Sequence, residues 1–238
     1  MLSLAKIKEI TLAILFPPLC LVCKKTIPYN DASFNLCHLC TSHITINTSF
    51  FCSICRVRLP YNKKTCHKNA QFLLGAATTF RDEIKEVIHS YKYQKWQRLH
   101  KPLSELLITY LTKTKILFQP EKTIVIPMPL HPTKLKERGF NQAELLAASI
   151  ATHYAIPLIT NTLMRDKETK TQTELKDFEM RKQNVADAFI IHNSEQIKNK
   201  NVILIDDVFT SGATMTVAVG VLKKAGARAI TALVIAKT

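Results

Sequence analysis

An α/β fold, with a mostly parallel sheet flanked by helices behind a small cysteine-rich module, is predicted by three observations. All seven cysteines of the 238-residue chain fall between Cys20 and Cys66. Past residue 71, short β-rich apolar runs alternate with segments of helical period. One such run, Val202-Ile203-Leu204-Ile205, delivers Asp206 and Asp207 into a turn of small residues that opens a helix. Alternation of this kind builds parallel sheets, because the crossover helices cover the sheet faces. The length suffices for one good-sized core and a small extra module.

The expected organisation is an N-terminal helix over residues 1–18, a metal module over 19–70 and an α/β domain over 71–238. Ile7 to Phe16 is mildly apolar behind Lys6 and Lys8, but it contains Glu9 and is too short to span a bilayer. Pro17-Pro18-Leu19 is not a small-residue cleavage site. Leu4, Ile7, Leu12 and Leu15 fall roughly on one side of a short helix, and the protein is expected to be cytoplasmic.

Cys20-x-x-Cys23 and Cys37-x-x-Cys40 are knuckle-spaced pairs. Two thiolates at that spacing can take adjacent vertices of a tetrahedron around zinc, and a second pair completes it. Cys52-x-x-Cys55 with Cys66 offers three ligands of a second site, while Asn69 stands where a paired fourth cysteine would fall. His67 or His43 is the candidate for the missing ligand, and interleaved pairing between the sites is also open. An odd count in such units suits metal in a reducing compartment better than disulfides. The metal, one or two zinc ions, is expected to be structural, since so short a segment has little core.

In the α/β region, Phe72 to Phe80 reads as a strand, and Ile84, Val87, Ile88 and Tyr91 follow at helical spacing. A second amphipathic helix covers Leu99 to Leu111. Thr123 to Met128 is a strand closed by Pro127 and Pro129. Asn141, with Glu144 three residues on, caps a helix reaching Tyr154. Arg165 to Arg181 lacks a period and reads as a loop or hood. Asn201 to Asp206 is a buried strand, and Ala213 to Ala225 a helix stopped by Gly226. Ala229 to Ala236 is the last strand.

The segment Val202 to Thr214 carries the chemistry. Ligands of open α/β sheets bind at the carboxyl ends of strands. Small residues let backbone N–H groups converge on an anion, and the helix start adds a favourable dipole. A phosphate at Thr210, Ser211, Gly212, Ala213 and Thr214, with hydroxyls on Asp206 and Asp207, fits a ribose 5-phosphate. The composition agrees: 33 Lys+Arg against 18 Asp+Glu gives +15, which favours polyanions such as nucleic acid, phosphorylated substrates or anionic membrane over a merely soluble basic surface. At 47% hydrophobic and 21% charged, the chain is globular and not disordered.

This stretch, through Asp206, Asp207, Val208 and Thr210 to Thr214, resembles the phosphoribosyl-diphosphate motif of type I phosphoribosyltransferases. Phe209 stands where an aliphatic is commoner, a departure expected to matter little. Further residues narrow the resemblance. Pro127-Met128-Pro129, Lys134 and Arg138-Gly139-Phe140-Asn141-Gln142 are similar to a signature of ComF and GntX-type proteins. Arg165, Gln172, Arg181, Asn184 and Phe189 resemble that family's hood, Lys92-Tyr93 its Lys-Phe pair, and Phe16-Pro17-Pro18-x-Cys20-x-x-Cys23 its opening. The family pairs a double zinc ribbon with a type I phosphoribosyltransferase domain.

The resemblance implies that Asp206 and Asp207 contact the ribose hydroxyls and that the turn holds the 5-phosphate. Magnesium would accompany the phosphoribosyl diphosphate. Lys134, Arg138, Arg165 and Arg181 are the candidates to neutralise its diphosphate, arginine being suited to bidentate phosphate contact. It further implies handling of single-stranded DNA during natural transformation, at the inner face of the cytoplasmic membrane. Tyr29, Phe34, Phe50, Phe51 and Tyr61 are candidates to stack bases, though aromatics in so small a module more often form its core. Two alternatives stay open: an active phosphoribosyltransferase of unknown acceptor, and an adaptor docking other competence components such as a helicase.

Overall fold

The computed structural model describes residues 17–27, 35–60, 66–165 and 188–238. The N-terminal helix expected before Pro17 lies outside them, as do Tyr29, Phe34, Tyr61, Gln172, Arg181 and Asn184.

A five-stranded sheet runs in the order β1-β2-β7-β6-β3. Its strands are β1 (Phe51–Cys52), β2 (Leu73–Thr79), β3 (Thr123–Pro127), β6 (Asn201–Phe209) and β7 (Ala229–Lys237). All neighbours are parallel except β1, which runs antiparallel to β2. A separate antiparallel ribbon joins β4 (Leu163–Arg165) to β5 (Phe189–Ile191). The described helices are α1 (His38–Ser42), α2 (Asp82–Tyr93), α3 (His100–Lys113), α4 (Pro132–Arg138), α5 (Gln142–Tyr154) and α6 (Ala213–Lys224).

The apolar run of β6 is continuous because both its faces are covered. Ile203 and Ile205 pack in the core shared with Val87 and Tyr91 of α2, Leu107 of α3 and Leu146 of α5. Val202 and Leu204 pack with Met215, Ala218 and Leu222 of α6 on the other face. Asn141 caps α5 as expected, its Oδ1 accepting from the N–H of Ala143 at 3.1 Å. Its side-chain amide also donates to the carbonyl of Met128, tying the helix start to the end of β3.

The cysteine module is sewn onto this sheet. Phe51 pairs with Leu74 and Cys52 with Leu73, so the module supplies an edge strand. Cys20, Leu21, Ile27, Leu36 and Cys40 join the main core. The Asn47 backbone N–H donates to the Ala77 carbonyl and its side-chain amide to that of Ala76. The hydroxyl of Tyr110 donates to Ser49, and its ring meets Phe50 edge-on at 5.7 Å. Gly75 leaves room for this contact: a Cβ there would lie 3.1 Å from the Phe50 ring and 3.2 Å from that of Tyr110. Phe51 is likewise interior. Phe51 and the partly buried Phe50 thus pack with the core, the alternative to base stacking that a module of this size favours. Among the described residues no helix is long and apolar enough to cross a membrane.

Candidate functional site

Strand β6 continues through the two acids to Phe209, further than expected, because the register with β7 persists to Phe209↔Lys237. At its carboxyl end a cavity of about 210 Å³ opens. Asp206, Asp207, Val208, Thr210, Gly212 and Thr214 line it from β6 and the turn, and Lys134, Arg138 and Arg165 from α4 and β4. Lys134 and Arg138 lie one helical turn apart and so share a face of α4. The structure thus brings together most of the expected residues. Ser211 and Ala213 belong to the turn without lining the cavity, and Arg181 is outside the described residues.

The cavity's charges are arranged unevenly. Asp207, 7% exposed, pairs with Lys92 of α2 at 2.8 Å. Burial, then the charge of Asp207, push Asp206 up to about 7, while Lys92 and Arg165 pull it back. Oδ1 of Asp206 accepts the backbone N–H of Asp207 at 2.8 Å. Burial also lowers the pKa of Arg165 against the opposing pull of Asp206, and its guanidinium lies over the Phe189 ring at 5.7 Å. Arg138 donates to the side-chain carbonyl of Gln142 at 3.0 Å and lies over Tyr93. Such a basin, lined by both cationic and acidic side chains, can hold a polyphosphate by the former and sugar hydroxyls by the latter.

The turn itself depends on two residues. Gly212 has φ of +80°, the left-handed region that glycine tolerates, and a Cβ there would fall 2.4 Å from Cζ of Phe209. The Phe209 ring therefore occupies the space that a side chain at 212 would need. It meets Phe72 edge-on at 6.4 Å, and the Arg56 guanidinium lies 5.6 Å from its centre. Phe209 was expected to matter little; instead it is part of the turn's packing.

Sequence reasoning assigned no role to two residues at this site. Lys92 was visible only as half of a family likeness. Arg56, whose Nη2 donates to the carbonyl of Ser211 at 2.7 Å, bridges 155 positions and left no signal.

The cysteines form two clusters. The ligand atoms of Cys20, Cys23, Cys37 and Cys40 all lie within 4.8 Å of one another, as do those of Cys52, Cys55, Cys66 and His67. Tetrahedral zinc with bonds of about 2.3 Å to sulfur requires spacings of this size. Burial and the adjoining thiols push Cys40 up to about 12. At Cys52 burial acts upward, but hydrogen bonds from the N–H groups of Cys55 and Ile54 and the side chains of Cys66 and His67 together bring the thiol down to about 6. Nδ1 of His67 stands 3.4 Å from the Cys52 sulfur and 3.2 Å from that of Cys66. His43 instead meets Glu83 at 2.9 Å, so of the two candidates only His67 is in place. Both clusters fit zinc.

Residues 137–238 match the phosphoribosyl transferase domain family. The chain is similar to Competence protein F of Haemophilus influenzae, 28% identical over 224 residues that cover 89% of this chain and 93% of that protein. DNA utilization protein YhgH of Escherichia coli is 24% identical over 222 residues, covering 90% and 94%. Competence protein ComFC of Bacillus subtilis is 27% identical over 149 residues, covering 62% and 57%.

Proposed function

The chain belongs to the ComF family, and from that premise we propose that it binds phosphoribosyl diphosphate with Mg²⁺ at Asp206 and Asp207 and handles single-stranded DNA during DNA uptake. Its α/β core is the type I phosphoribosyltransferase fold.

The observation that carries the ligand reading is the single cavity joining the acid pair, the turn and four cationic side chains, Lys92, Lys134, Arg138 and Arg165. The turn supports a 5-phosphate through converging backbone N–H groups and the start of α6. Asp206 and Asp207 accept from the ribose hydroxyls, and Lys134, Arg138 and Arg165 offset the diphosphate charge. Arg181 is proposed to join them. Mg²⁺, a hard cation suited to the oxygens of hydroxyls, carboxylates and phosphates, would offset charge between the acids and the diphosphate. Zinc at the two clusters is proposed as structural.

The DNA reading rests on the competence and DNA-utilisation names of the relatives together with the excess of +15. Such binding acts mainly on phosphates and releases counterions. A second reading, an adaptor for other DNA-uptake proteins, is favoured by the exposed aliphatics on the knuckles, Leu39, Ile54 and Val57. A station at the inner face of the cytoplasmic membrane fits either reading.

Titration calorimetry with phosphoribosyl diphosphate and Mg²⁺ tests the ligand reading. Saturable binding lost in the Asp206→Asn/Asp207→Asn double variant is expected, and retained affinity in that variant would sink the assignment. For DNA, a single-stranded oligonucleotide is titrated at increasing salt. Affinity should fall log-linearly; a flat response would exclude phosphate-driven binding.

A further inference from the structure

On the reading that the turn after β6 takes a sugar phosphate, we propose that Arg56 is a positioning residue for that turn. Metal held by Cys52, Cys55, Cys66 and His67 and a phosphate ester held at Thr210 to Thr214 then strengthen each other's binding.

Arg56 owes its place to the knuckle. Its backbone N–H closes the turn onto the Cys52 carbonyl at 2.9 Å, and the Cys52 N–H returns to the carbonyl of Val57 at 3.0 Å. Its φ of +61° is unfavourable for a residue with a Cβ, so the surrounding turn imposes it. The four ligand atoms around Cys52 set that turn, and β1 fixes its angle to the sheet. Nothing in the α/β core alone would aim a side chain from residue 56 at residue 211.

What the guanidinium grips decides the consequence. The carbonyl of Ser211 accepts from Nη2 at 2.7 Å. In a trans peptide the carbonyl and the following N–H point to opposite sides, so holding the Ser211 carbonyl toward Arg56 turns the N–H of Gly212 away from it. Gly212 lines the cavity and Ser211 does not. The guanidinium also covers the Phe209 ring that fills the space beside Gly212. One side chain thus fixes both the peptide plane and the packing of the anion turn.

Loss of the metal frees four crowded ligand groups, relaxes the left-handed turn at Arg56 and releases the Ser211 carbonyl. Linkage requires the converse: an anion that orders the turn makes the second metal harder to remove. The first cluster is an internal control, because its Cys20 and Cys40 pack into the core on the α2, α3 and α5 side of the sheet.

The full chain is compared as wild type, Arg56→Ala, Arg56→Lys and Cys66→Ser. Amide exchange is followed at Thr216, whose N–H bonds the Gly212 carbonyl at 2.8 Å. Ribose 5-phosphate and inorganic pyrophosphate are titrated separately. Arg56→Ala is expected to speed exchange at Thr216 and to weaken ribose 5-phosphate by about tenfold, within the usual range of coupling between sites. Pyrophosphate affinity stays unchanged, Arg56→Lys recovers part of the loss, and Cys66→Ser behaves like Arg56→Ala. In the wild type, ribose 5-phosphate slows chelator removal of metal from the second cluster only. Unchanged exchange in both Arg56→Ala and Cys66→Ser, or equal weakening of both ligands, overturns the coupling. If the wild type binds no ribose 5-phosphate, the cavity reading fails, while the exchange measurements still decide whether Arg56 holds the turn.

Discussion

Nζ of Lys92 stands 2.8 Å from Oδ1 of Asp207, and this contact separates two neighbouring acids into unlike groups. Asp207 has its counter-ion in place. Asp206 is held up near 7 by burial and by the charge next to it. A cation or a sugar hydroxyl that reaches Asp206 therefore favours the loss of its proton.

Replacing the counter-ion exposes this division. Lys92→Met leaves the largely buried Asp207 carboxylate uncompensated. Breaking such a pair costs about 1–3 kcal/mol here, less than for a fully enclosed one, because Lys92 keeps some solvent contact. Chemical denaturation should show that loss, and Lys92→Met/Asp207→Asn should recover most of it. A double variant no more stable than Lys92→Met would mean that the pair is not the source.

Stability should vary with pH through Asp206, and the sign follows from linkage. Its folded pKa of about 7 lies above the ordinary carboxylate value of 3.8. Between those values the unfolded chain has released the proton while the fold retains it. Stability contributed by the neutral form is thus present below about pH 4, declines as pH rises and is gone above about 7. Asp206→Asn should melt higher than wild type at pH 8 without ligand, and the difference should shrink toward pH 5. A constant difference across that range would contradict the raised pKa.

What was legible in the sequence follows from how each element is stabilised. Strand β6 and helix α5 were visible because burial on both faces and a side-chain cap both leave a local pattern. Helix α4 escaped notice although Pro132 opens it and Gly139 closes it, because it buries no residue and has no apolar stripe. The β4–β5 ribbon is only three residues on each side and joins segments far apart in the chain. The acid pair, the turn and the cations of the cavity formed a motif; Arg56 acts across 155 positions and belongs to none.

The fourth ligand of the second cluster has a direct test. His67→Ala should reduce bound zinc by one equivalent per chain and lower the melting temperature, because metal binding contributes to folding. His67→Cys should keep both equivalents, since a thiolate serves zinc as well as an imidazole does. His43→Ala should leave the zinc content unchanged, as His43 faces Glu83. Full zinc content in His67→Ala would remove His67 from the ligand set.

Gly212 gives the sharpest separation of packing from backbone strain. Gly212→Ala meets two obstacles: the ring of Phe209, 2.4 Å from the new Cβ, and a φ of +80° that alanine disfavours. Phe209→Val removes the first and leaves the second. Gly212→Ala alone should therefore destabilise the fold and abolish phosphoribosyl diphosphate binding. In a Phe209→Val background, which carries its own packing loss, adding Gly212→Ala should cost only about 1–2 kcal/mol, the cost of a left-handed residue with a Cβ. If the double variant regains stability but not binding, the path of the backbone through Gly212 is what the ligand requires. If it regains both, the glycine is needed only to make room for Phe209. The cavity lining favours the first outcome, because Gly212 itself faces the site.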